Sequence, residues 1–228
     1  MKASVRDADY TLMPLLFGLT FISGLVDAVS FLRLGHTFVA NMTGNLVLLA
    51  FAIGGAKGIS ITGSLTAIAA FMVGGIIGGR LNRRHGENGA HLLSVTTFVK
   101  IFLMLGAAAI AWLFGYQGVI AYVITAVLAI SMGLQNAVVR GIGVADITTT
   151  VVTQTIIGIA MDSTLAGGTN TRWRRRVTAV VVMFAGALIG AVIVLRLGVP
   201  AALLAAALTL AIVSTWAWRL KQITQPQP

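Results

Sequence analysis

The chain has 228 residues, a mean hydropathy of +0.95, 57% hydrophobic residues and only 10% charged ones, where a soluble domain carries about 25%. That composition excludes an ordinary soluble domain and predicts an all-α polytopic membrane protein, one transmembrane domain over residues 1–228, because only segments that satisfy their own backbone hydrogen bonds sit in lipid. The net charge of +10 would suggest nucleic acid in a soluble protein. Here the basic residues fall in loops, where they orient the chain and meet lipid headgroups, so the bilayer and not nucleic acid is the expected partner.

Eight apolar segments follow one another: roughly Leu12–Leu32, Phe38–Ala56, Ile59–Gly79, His91–Phe114, Val119–Val139, Ile147–Leu165, Val177–Leu195 and Val199–Trp218. The N-terminal "MKASVRDADY" is short and mixed in charge, and the first segment is too long for a signal-peptide core, so it reads as a retained helix. It carries Asp27 about fifteen residues in, and an intramembrane carboxylate is a functional hypothesis by default. Two roles are open: binding a proton or cation, or hydrogen-bonding the start of the next segment.

The second segment, "VANMTGNLVLLAFAIGG", begins with Asn41, Thr43, Gly44 and Asn45 before the apolar run Leu46–Ala56. That run of 11 residues makes about 16 Å of helix, against a hydrocarbon core of about 30 Å. It is a half-helix by length. Its polar start either faces a solute path or caps the helix and bonds to neighbours. The third segment holds Gly74, Gly75, Gly78 and Gly79, and the seventh Gly186 and Gly190; small residues four apart let helix backbones approach, so Gly74, Gly78, Gly186 and Gly190 are expected to pack helices. Lys100 lies inside the fourth segment, where it could pair with Asp27, attract an anion or snorkel toward the headgroups. Gln135 and Asn136 place amides in the fifth. The sixth opens on Thr148–Thr155, with Thr150, Thr153 and Thr155 as polar candidates, and has only Ile156–Met161 before Asp162.

The order of these features repeats. "GLVDAV" at Gly24 matches "GLQNAV" at Gly133, an offset of 109; "MTGNLV" at Met42 is echoed by "VTQTII" at Val152, an offset of 110; "FMVGGIIGG" at Phe71 is echoed by "MFAGALIGA" at Met183, an offset of 112. The chain divides into two repeats of four segments, about 10–115 and 117–221, a pattern common in transporters. Asp27 then corresponds to Asn136, which cannot titrate; this favours a shared structural role.

Loop charge discriminates between topologies. Leaving aside Lys100 within a segment, eight full spans with the N-terminus inside divide Lys and Arg nine inside to six outside. If segments two and six enter and return on the same side, six helices span and the division becomes twelve to three, the arrangement the positive-inside rule prefers. The expected topology is therefore six spanning helices plus two re-entrant half-helices, with eight spans as the alternative and both termini cytoplasmic. Three spans per repeat is an odd number, so the repeats are inverted.

At "GLVDAVSFLRLGHTFVANMTGNLVLLA" and "GLQNAVVRGIG" followed by "TTTVVTQT", the chain resembles the YoaK-like family of uncharacterised bacterial inner-membrane proteins, over about Leu12 to Leu220. The resemblance implies a multi-pass protein of the bacterial inner membrane and brings no catalytic or ligand residues. One departure is Gln154, where the family pattern implies a glycine after "VVT".

The function expected from these features is a transporter or channel for a small polar or anionic solute. Its path would lie between the inverted repeats, lined by Asn41, Thr43, Gly44, Asn45, Thr150, Thr153 and Thr155, with Asp27, Asn136, Gln135 and Lys100 as intramembrane polar groups. The alternative is a non-transport structural or regulatory protein acting through helix partners, and either could form a homo-oligomer. There is no cysteine, which excludes thiolate metal sites. Three scattered histidines and no H-E-x-x-H or G-x-S-x-G leave no nucleophile–base pair to nominate, so neither an enzyme nor a cofactor or metal site is expected.

Overall fold

The computed structural model describes residues 5–85, 89–142, 152–170 and 173–224. Most of the described residues are helical, and none of them forms a strand. In chain order the helices are α1 (Val5–Arg33), α2 (Met42–Ile53), α3 (Ile61–His85), α4 (Gly89–Phe114), α5 (Val119–Ile142), α6 (Val152–Met161) and α7 (Trp173–Thr224).

Five helices are long and apolar enough to cross a membrane. The last apolar stretch, Trp173–Trp216, is 44 residues, about 66 Å of helix and twice the hydrocarbon core. It breaks at Gly198, whose φ of 87° is open to glycine and strained for other residues. Pro200 follows and lacks the N–H that an unbroken helix would use. The two arms of α7 are the seventh and eighth segments of the sequence. By contrast α2 has 12 residues and α6 has 10, about 18 Å and 15 Å of helix. Neither reaches across the core, so the alternative of eight spanning helices finds no support in them.

Packing follows the small residues. α1 lies along α7, α3 lies along α5, and α4 contacts both α5 and α7. α2 rests mainly on α3, and α6 on α7. In the α1–α7 crossing, a Cβ on Gly24 would strike the backbone of Met183 and Ala187, one on Gly186 the carbonyl of Phe21, and one on Gly190 the backbone of Leu25. In the α3–α5 crossing, Gly133 meets the backbone of Phe71 and Gly75 in the same way, and Gly74 that of Ile130 and Leu134; Gly78 meets Leu134 and Ala137. These six glycines allow backbone-to-backbone contact that any side chain would prevent. Gly75 and Gly79, on the same helix as Gly74, have open space around them.

Contacts between helix ends sort the bundle into two levels. At one end, Gly35 lies beside Ser60, Thr37 beside Gly63, and the Ser60 hydroxyl 3.1 Å from the Tyr122 hydroxyl. Gly198 lies beside Tyr116, between α4 and α5. At the opposite end, Asn82 Nδ2 donates to the Ala137 carbonyl at 2.6 Å, and Gly89 touches Ile142. The chain thus leaves α1 and enters α3 at the same end.

The glycine crossings generate a prediction. Gly186→Val, which drives carbon into the Phe21 carbonyl, should destabilise the protein by about 1–3 kcal/mol or more, while Gly75→Ala should leave it unchanged. Thermal unfolding of both variants in detergent checks this; equal midpoints would refute the close-approach role.

Candidate functional site

The segment between α1 and α2 is non-helical, and its backbone groups need partners because no water reaches the hydrocarbon zone. Gly35 (φ 98°) and His36 (φ 56°) turn the chain back on itself. Phe38 then stacks on Phe31, two residues before the end of α1, with ring centroids 4.9 Å apart. Asp27 is buried on α1, six residues before its end, or about 9 Å along the axis. Its Oδ1 accepts from the amides of Val39 and Ala40, both at 2.8 Å. Asn45, the one buried residue of α2, reaches back to Phe38: its Oδ1 accepts from the Phe38 amide at 2.8 Å and its Nδ2 donates to the Phe38 carbonyl at 2.5 Å. Asn41 caps α2, its Oδ1 accepting from the Gly44 amide at 3.2 Å. Gly44 is required because a Cβ there would lie 2.8 Å from the Phe38 ring.

These contacts divide the residues expected to line a path. Asn41 and Thr43 are exposed on the surface of α2 and Gly44 is partly covered, whereas Asn45 is 0% exposed and committed to the loop. On α6, Thr153 and Gln154 are exposed and Thr155 is buried. Thr150 and Asp146 lie outside the described residues. The order of burial along Val152–Ala160 follows that along Met42–Ala50 closely, with Asn45 answering to Thr155. The departure at Gln154 falls on the outer face of α6, where it has room.

A second polar cluster sits deeper. Lys100 on α4 is 0% exposed, so it does not snorkel to the headgroups. It does not pair with Asp27 either: its Nζ donates to Gln135 Oε1 on α5 and lies 3.6 Å from Met132 Sδ. Gln135 Nε2 in turn donates to Ser23 Oγ on α1 at 3.3 Å, and that hydroxyl donates to the Leu19 carbonyl at 2.9 Å. Three helices, α4, α5 and α1, are joined through side chains inside the bundle. Asn136 Nδ2 donates to Met132 O on its own helix at 2.9 Å. Ser23 was not singled out from sequence. The available signal was its position four residues before Asp27, on the same face of α1.

At the far end of α6, Arg176 at the start of α7 donates to the Gly158 carbonyl at 2.6 Å and pairs with the Asp162 carboxylate. It binds the last carbonyls of α6, as basic residues do at helix C-termini. Gly158 is needed here, because a Cβ would press on the Arg176 guanidinium at 3.0 Å. Among the described residues no cluster of three His, Cys, Asp or Glu could hold a metal ion.

The fold and these intramembrane polar groups define a polytopic helical membrane protein. More particularly, the chain belongs to the family described as "Protein of unknown function (DUF1275)", whose model matches residues 15–216. It is 34% identical to the "UPF0700 transmembrane protein YoaK" of Bacillus subtilis (strain 168) over 146 residues, 63% of this chain and 64% of that protein's length. No solved structure matches it.

The loop geometry predicts unequal effects at one position. Asp27→Ala should leave the Val39 and Ala40 amides unpaired and cost about 1–3 kcal/mol for each. Asp27→Asn keeps an acceptor oxygen and should cost less. Urea or thermal unfolding in detergent separates the two, and equal losses would show that Asp27 does not act as an acceptor for the loop.

Proposed function

We propose that the chain transports a small polar or anionic solute across the bacterial inner membrane, along a path between two inverted repeats, each with three crossings and one re-entrant half-helix. The observation that carries this reading is the arrangement of helix ends. The end of α1 lies beside the start of α3, at Gly35–Ser60 and Thr37–Gly63. A 12-residue helix that leaves and returns at one end enters the membrane without crossing it.

Other observations support the same reading. The glycines of the α1–α7 crossing (Gly24, Gly186, Gly190) occupy the repeat positions of those in the α5–α3 crossing (Gly133, Gly74, Gly78). The burial order along α2 and α6 agrees as well. The end where α3 and α5 finish carries Arg80, Arg83, Arg84 and Arg140. Arg174, Arg175 and Arg176 at the start of α7 lie one span from Gly198 and hence at that end too. By the positive-inside rule that end is cytoplasmic, as are both termini. Discontinuous helices held by polar side chains are where transporters of this architecture bind solute. Asn41 and Thr43 are the polar groups of α2 that remain available to one.

Two experiments test the proposal. Single cysteines at Lys57 and Gly168, in this naturally cysteine-free chain, should label from opposite faces of the membrane; labelling from one face refutes the inverted arrangement. Purified protein in liposomes should speed the passage of at least one of urea, glycerol, formate, acetate or nitrate, read by stopped-flow light scattering. Asn41→Ala and Thr43→Ala should each slow it about twofold to tenfold, the worth of one hydrogen bond. Passage at the rate of protein-free liposomes would favour a structural or regulatory membrane protein instead.

A further inference from the structure

We propose that Lys100 is the centre of an anion-binding site inside the bundle, which takes a small, weakly hydrated monovalent anion, either inorganic or a short carboxylate. The step from binding to transport rests on the function proposed above; the site itself does not.

The cluster around Lys100 is rich in donors and poor in acceptors. An ammonium group has three donors and no acceptor capacity. The partners of Lys100 are one neutral amide oxygen, on Gln135, and the thioether of Met132, a weak acceptor. Neither neutralises a charge. Among the described residues no carboxylate forms an ion pair with it. Asp27, buried on α1, accepts from the Val39 and Ala40 amides through Oδ1. Asp162 is taken by Arg176 at the far end of α6.

Two further donors lie nearby along the same helices. Thr96, one turn before Lys100 on α4, and Ser131, one turn before Gln135 on α5, are buried with hydroxyls that have no hydrogen-bond partner among the described residues. Buried polar groups are ordinarily hydrogen-bonded, and buried charges are paired. A lysine wholly buried inside the hydrocarbon zone, with no carboxylate partner among the described residues and two unpartnered hydroxyls on the same two helices, departs from that rule. Such ionisable groups mark substrate or ion pathways in membrane proteins.

An anion supplies what the cluster lacks. It gives a counter-charge to the ammonium and acceptor lone pairs to the hydroxyls. The walls select among anions. Lys100 is fully enclosed, with Met104 one turn along α4 and Met132 across on α5, both fully buried. A site so fully enclosed penalises strongly hydrated, multiply charged ions such as phosphate and sulfate. It suits small ions that shed water easily. Gln135, anchored by Ser23, sets the position of the ammonium.

The test is thermal unfolding of detergent-purified protein at constant ionic strength, with sodium gluconate as the reference and chloride, nitrate, formate or acetate in its place. At roughly ten times the dissociation constant, a bound anion should raise the wild-type midpoint by about 3–6 °C. A rise with chloride or nitrate alone assigns an inorganic anion. A rise with formate or acetate as well assigns a carboxylate. Lys100→Met removes the ammonium but keeps a chain of similar size, and should show no anion-dependent rise above its own midpoint in gluconate.

The proposal is overturned if none of the four anions shifts the wild type, or if Lys100→Met shifts as much as the wild type does. Should Lys100→Met fail to fold, Ser131→Ala decides: a smaller rise supports the site, and an unchanged rise overturns it. Because the readout is binding and not flux, a protein that shows the Lys100-dependent rise but moves no solute refutes only the transport reading. One that moves solute without the rise refutes only this site.

Discussion

Two backbone amides, those of Val39 and Ala40, meet the carboxylate of Asp27, and the passage from α1 into α2 is arranged around that contact. A non-helical stretch at membrane depth is tolerated only where protein satisfies its hydrogen bonds. Here three side chains do so in turn. Asp27 takes two amides, Asn45 takes both backbone groups of Phe38, and Asn41 takes the amide of Gly44. The turn at Gly35–His36 and the stacking of Phe31 on Phe38 bring the loop within reach of Asp27.

The second organising constraint is the exchange of partners between the halves. α1 has its glycine crossing with α7, and α5 has its own with α3. Each half therefore lends its first helix to the other. The matching positions of the glycines make the two crossings alike in chemistry, while the polar groups differ: Asp27 stands where the second half has Asn136, and Gly44 where it has Gln154. At the C-terminus of α6 the Gly158 carbonyl and the Asp162 carboxylate are both held by Arg176.

Much of this was legible in the residues. Apolar runs gave away every long helix, because a span must be apolar along its whole length. The shortness of α2 and α6 was readable from Asn45 and Asp162, which bound their apolar runs. Gly74, Gly78, Gly186 and Gly190 stand out by their four-residue spacing, whereas Gly24 and Gly133, which meet a neighbouring backbone just as closely, do not. The partner of Lys100 was not. Pairing with Asp27 is the simplest reading of two opposite charges in a low-dielectric zone, but a carboxylate already bound to two amides is held at the loop, and Gln135 lies where Lys100 reaches. The fate of Asn45 was equally hidden. Its polarity suggested a path, whereas its side chain has the donor and acceptor that one orphaned peptide unit needs, and that local bonding won.

The exchanged helices also set an order of events during biosynthesis. α1 is made first, yet its glycine partners on α7 are made roughly 160 residues later, and contacts so distant along the chain form late. In the interval Asp27 is the costly group, a carboxylate in lipid. Its own partners lie only 12 and 13 residues downstream, so they emerge almost at once. The loop that shapes the half-helix thus doubles as an early chaperone in cis: it covers the charge on α1 while the groove beside Gly24 waits for the last hairpin to arrive.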